Sequence, residues 1–134
     1  MRRLAQLRAP LAVAAAAAGT LTVLWWRDPE SVGPFPVCIS ALVFGVECPF
    51  CGGLRGMHDL LHGDIPAMVD HNALLPLYLG VIALGFAAWV AMRLGFVSRP
   101  RPRIVMASMV TLMAVSVTFG ILRNLVPSLA ASAG

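Results

Sequence analysis

Lysine is absent from this 134-residue chain, and charge of either sign is scarce: the charged residues make up 12% of it. A soluble domain carries about twice that share, so an ordinary water-soluble domain is excluded. The ten cationic residues are all arginine and lie scattered along the borders of hydrophobic runs. They form no basic face, which excludes a nucleic-acid-binding surface. Acidic residues are missing from both ends, the first being Asp28 and the last Asp70. Cysteine occurs three times, as Cys38, Cys48 and Cys51. An odd count allows at most one intrachain disulfide. No internal repeat and no low-complexity linker is present.

What the chain has in quantity is apolar residues, 59% of the total, with a mean hydropathy of +0.84. Uninterrupted apolar runs of about 18 residues or more are transmembrane candidates. Three occur. The first extends from about residue 8 to Trp26, behind Arg2, Arg3 and Arg8. A basic head on an apolar body also fits a cleaved signal peptide, but the run continues to Trp25-Trp26, an interfacial anchor that favours a retained helix. The second covers residues 73–92, with Ala83, Ala87 and Ala91 as a stripe of small residues. The third covers residues 104–122 and carries Ser116 and Gly120 at a spacing suited to close helix contact. The expected fold is all-α: an integral membrane protein of one domain, three transmembrane helices and a long Cys/His-containing extracytoplasmic loop bearing short interfacial helices.

Orientation follows from arginine. Arg2, Arg3, Arg8, Arg93, Arg99, Arg101 and Arg103 flank one side of the spans, and Arg27, Arg55 and Arg123 the other. The positive-inside rule places the N-terminus and the 93–103 loop in the cytoplasm of a bacterial plasma membrane. Residues 27–72 then face outward, and they hold every acid, cysteine and histidine in the chain. A connection so long and so loaded is usually functional.

Within that loop Val37 to Val46 is apolar but too short to span. Cys48-Pro49-Phe50-Cys51-Gly52-Gly53 reads as a turn. A short helix follows from about Leu54 to His62 and stops at Gly63. Asp64 is placed to cap the next short helix, with Pro66 in its first turn. On the Leu54 helix, Arg55, His58, Asp59 and His62 share one face. That face has a plain reading as the wet side of an interfacial helix. It has a sharper one as half of a metal site, with Cys48, Cys51, His58 and His62 as a four-ligand, zinc-like set. Thiol–disulfide chemistry is a third reading, although the usual βαβ context of such motifs is missing. A structural disulfide from Cys38 to Cys48 or Cys51 fits an oxidising outer face. Arg55 and Arg123 lie near the membrane boundary, where a charge is costly without a partner. One or both are expected to pair with a loop acid such as Glu47, Asp59 or Asp64.

The chain resembles a family of small bacterial membrane proteins classed as a domain of unknown function, whose signature is Cys-Pro-x-Cys-Gly-x-Thr-Arg. Cys48, Pro49, Cys51, Gly52 and Arg55 match it, followed in order by Gly63-Asp64 and Asn72. Pro36 and Cys38 resemble an upstream Pro-x-Cys element, and Arg123-Asn124 a late Arg-Asn pair. Leu54 stands where the family has Thr, and Ala73 where it often has Pro. The resemblance implies a membrane protein and assigns no reaction, cofactor or substrate. The expected role is a non-enzymatic binding, accessory or assembly component that contacts lipid, an ion or another membrane protein through the outward loop. The alternative is a metal-binding or thiol-redox membrane protein.

Overall fold

The structure, a computed structural model, describes residues 2–29, 39–126 and 129. Six helices follow one another: α1 (Arg2–Trp26), α2 (Ile39–Phe44), α3 (Gly53–Leu61), α4 (Ile65–His71), α5 (Leu75–Leu94) and α6 (Pro102–Leu125). Helices α1, α5 and α6 are each long and apolar enough to cross a bilayer. The expected all-α membrane architecture is therefore present, with α2, α3 and α4 in the connection between the first two spans.

The long helices keep most of their apolar side chains outward, as a lipid solvent permits. Several hydroxyls on them are satisfied within the helix. Thr20 donates to the Ala16 carbonyl at 3.0 Å, Thr22 to Ala18 at 2.8 Å and Ser108 to Ile104 at 2.7 Å. One hydroxyl pair crosses between spans: Tyr78 on α5 donates to Ser116 on α6 at 3.0 Å. Ser116 in turn donates to the Leu112 carbonyl at 2.8 Å.

Helix ends differ by a few residues from the sequence reading, for local reasons. α5 continues to Leu94 and stops where Gly95 turns left-handed at φ 80°. The amides of Gly95 and Phe96 then close back on the Met92 and Ala91 carbonyls. α6 begins at Pro102, because a proline at the first helical position forfeits no bond. It runs through Arg123 and Asn124 to Leu125, because both side chains bind the loop from its last turn. The Ala83 stripe is not a buried seam: Ala83 and Ala87 are exposed and Ala91 half-buried. The Ser116–Gly120 pair is the small-residue contact that forms. A Cβ on Gly120 would stand 3.3 Å from Pro49.

Short helices α3 and α4 pack tightly against each other at Gly56, which is buried. A Cβ there would lie 2.9 Å from the Met68 carbonyl oxygen and 3.0 Å from a Leu75 methyl. Gly56→Ala should therefore push α3 off α4 and destabilise the fold by about 1–3 kcal/mol. Gly53→Ala, with nothing within 4 Å of the added carbon, should change stability by about 0.5 kcal/mol or less. Thermal unfolding in detergent compares the two, and equal midpoints would contradict the close approach.

Candidate functional site

The turn from Cys48 to Gly53 is built by its own backbone. The Cys51 amide donates to the Cys48 carbonyl at 3.0 Å and the Gly53 amide to Phe50 at 3.0 Å. Gly52 then takes φ 77°, a left-handed conformation that favours glycine, and opens α3. The two sulfurs end 3.3 Å apart, well beyond the roughly 2.05 Å of a disulfide bond. The Cys48 amide donates to Cys51 Sγ at 3.3 Å.

Three polar residues hold this turn from behind. Asn72, 2% exposed, donates from Nδ2 to the Pro49 carbonyl at 2.9 Å and to Cys51 at 3.1 Å. Its Oδ1 accepts from the Leu74 amide at 2.9 Å. Arg123, also 2% exposed, spends its fork on three acceptors: Glu47 Oε2 at 2.6 Å, the Cys51 carbonyl at 2.8 Å and the His71 carbonyl at 3.0 Å. Asn124 pairs with the Glu47 peptide in both directions, accepting its N–H at 2.9 Å and donating to its carbonyl at 2.8 Å. The expected pairing of an outward arginine with a loop acid is thus present at Arg123. Arg55 is half-buried on α3.

The histidines of α3 turn toward α1. His58 Nδ1 lies 2.8 Å from the Leu24 carbonyl, one of the helix-end acceptors that the last turn leaves open. His62 Nδ1 lies 2.9 Å from the His58 carbonyl, and its ring stacks on Trp25 at 5.6 Å and 4°. Asp59 Oδ2 approaches His71 Nε2 of α4 at 3.3 Å. His58, Asp59 and the His62 ring on the polar face of α3 therefore meet neighbouring helices, and the face is not simply the wet side of an amphipathic helix. Asp64 caps α4 as expected, accepting from the Ala67 amide at 3.0 Å.

Of the expected metal set, the structure brings together Cys48 with Cys51, and His58 with His62, whose rings are 4.3 Å apart. Among the described residues no group of three or more His, Cys, Asp or Glu converges on one point. Cys38, and with it the expected structural disulfide, lies outside the described residues.

This geometry coincides with a family match. Residues 38–94 match DUF2752, a family described as a protein of unknown function. The match ends with α5, so Arg123 and Asn124, which back the turn, lie beyond it. Neither the curated proteins nor the solved structures contain a match. Sequence reasoning missed the bond from Tyr78 to Ser116, the role of His71 and the Trp25–His62 stack. Only the first left a signal: a lone tyrosine and a serine inside apolar spans need a polar partner.

Proposed function

We propose that this membrane protein is a non-enzymatic accessory component that uses the Cys48–Cys51 turn as a preformed contact surface for another membrane protein. One observation carries the reading. The turn's backbone is held by Asn72, Arg123 and Asn124, while Phe50 is 62% exposed and Leu54 46% exposed above it. A rigid apolar knob binds with little ordering cost, and the Asn72 amide and two of the three Arg123 bonds are directed at backbone carbonyls. The arginine distribution supports a cytoplasmic N-terminus and an outward turn.

A second reading rests on the 3.3 Å approach of the sulfurs. In it, Cys48 and Cys51 pass two electrons and two protons to the disulfide of a partner and become joined, while the partner's disulfide becomes two thiols. A zinc-like ion on Cys48, Cys51, His58 and His62 is the metal form of the alternative. The Leu24 and His58 carbonyls engage the two Nδ1 atoms, which leaves Nε2 of each ring as the ligand atom, and this form requires the thiol pair and the imidazole pair to converge.

A photo-crosslinking residue at position 50, with position 84 of α5 as the lipid-facing control, tests the first reading in native membranes. The expected result is a protein adduct of one discrete mass from position 50 alone. Lipid adducts at both positions would remove it. In the same preparations, reversible oxidation of Cys48 and Cys51 would favour the redox reading. Stoichiometric metal lost in Cys48→Ser and His58→Ala would favour the metal reading. An impermeant thiol reagent should reach the turn, and not Arg99→Cys, from outside intact cells.

A further inference from the structure

At the end of the bundle away from the cysteine turn, α5, α6 and the loop joining them enclose an open cavity of about 390 Å³. Ala88 and Met92 of α5 stand one turn apart on one wall, Ile104 of α6 stands on another, and Val97, Arg99 and Arg101 come from the loop. Its volume falls in the range of about 300–1,000 Å³ typical of small-molecule sites.

Charge makes this site one-sided. All six acids fall between residues 28 and 70. The acids among the described residues, Asp28, Glu47, Asp59, Asp64 and Asp70, belong to the other ends of the long helices, where the Glu47–Arg123 pair and the His58–Leu24 contact are made. The length of α5, 20 residues or about 30 Å, separates them from the cavity. Nearby Arg93 lies over the Trp89 ring at 5.7 Å, an arginine–aromatic pair suited to the level of lipid headgroups.

We propose that this cavity is a binding site for an anionic phospholipid. Arg99 and Arg101 would take the phosphate, for which a planar guanidinium fork is suited. Met92, Val97 and Ile104 receive the glycerol and first acyl carbons. Ala88 leaves room along the α5 wall because its side chain is only a methyl. Basic pockets between transmembrane helices commonly take such headgroups. The apolar lining favours a lipid over a free anion or an acidic peptide, neither of which gains from burial against methionine and isoleucine.

Native mass spectrometry of the detergent-purified full chain tests this, with phosphatidylglycerol and phosphatidylcholine of identical acyl chains as probes. Phosphatidylglycerol should be retained about tenfold better or more, the order expected of two arginines near an anionic headgroup. Arg99→Gln with Arg101→Gln should erase the preference. Ala88→Leu, which fills the cavity without touching charge, should lower phosphatidylglycerol retention by a similar factor. Ala88 is exposed and the two arginines lie in a loop, so all variants should keep the wild-type unfolding midpoint. Equal retention of the two lipids, or phosphatidylglycerol retention untouched by Ala88→Leu, would overturn the site. So would displacement of the lipid by inorganic phosphate or by a polyglutamate peptide.

Discussion

Replacing Arg123 by alanine should cost the fold about 3–5 kcal/mol, the penalty for stripping one partner from a buried ion pair. The side chain is fully enclosed while that of Glu47 is 32% exposed, so the arginine carries most of the desolvation. Its three acceptors lie on three separate pieces of chain: Glu47 before the turn, Cys51 within it and His71 at the end of α4. Asn124, its neighbour on α6, adds two bonds to the Glu47 peptide. Arg123→Lys should recover only part of the loss, since one ammonium on a flexible stem cannot reproduce a fork aimed at three fixed oxygens. Glu47→Gln should cost less than Arg123→Ala, because both carbonyl contacts survive. Denaturant titration in micelles, read by tryptophan fluorescence, gives the order Arg123→Ala, then Arg123→Lys, then Glu47→Gln, from worst to least. An Arg123→Ala variant within about 1 kcal/mol of wild type would show that the fork is not what ties the loop to α6.

The spans and the short helices were legible because their causes are local. Apolar runs of sufficient length name α1, α5 and α6. Gly63, Asp64 and Pro66 mark the α3–α4 junction through backbone rules that act over a few residues. The expectation that Arg123 meets an acid also succeeded, since a charge at a membrane boundary needs a partner. The rest of the site was hidden because its partners are backbone atoms far away in the chain. Nothing in the letter Asn at position 72 says that its amide will meet the Pro49 and Cys51 carbonyls, 23 and 21 residues earlier. Likewise His58 and His62 share a helix face as their spacing requires. The direction of that face, toward the Leu24 carbonyl and the Trp25 ring, depends on where α1 ends. Spacing alone could not separate a solvated face from a helix contact or a ligand pair.

Asn72→Asp is expected to destabilise the protein by about 2–4 kcal/mol, although it changes almost no volume. The native amide is engaged at both ends: both Nδ2 hydrogens go to carbonyls and Oδ1 takes the Leu74 amide. An aspartate would place an acceptor against the Pro49 and Cys51 oxygens in a site that is 2% exposed. Each buried polar group left without a partner costs about 1–3 kcal/mol, and a buried carboxylate costs more unless it takes a proton. Asn72→Ala deletes the same two donors but adds no repulsion, so it should be the milder change. This order is the reverse of what size would dictate and distinguishes donation to the turn from simple space filling. Thiol alkylation provides a second readout. Once the turn loses its backing at Pro49 and Cys51, iodoacetamide should modify Cys51 faster in both variants, and fastest in Asn72→Asp. If Asn72→Asp unfolded at the wild-type midpoint with unchanged alkylation, the turn would owe its shape to Arg123 and Asn124 alone.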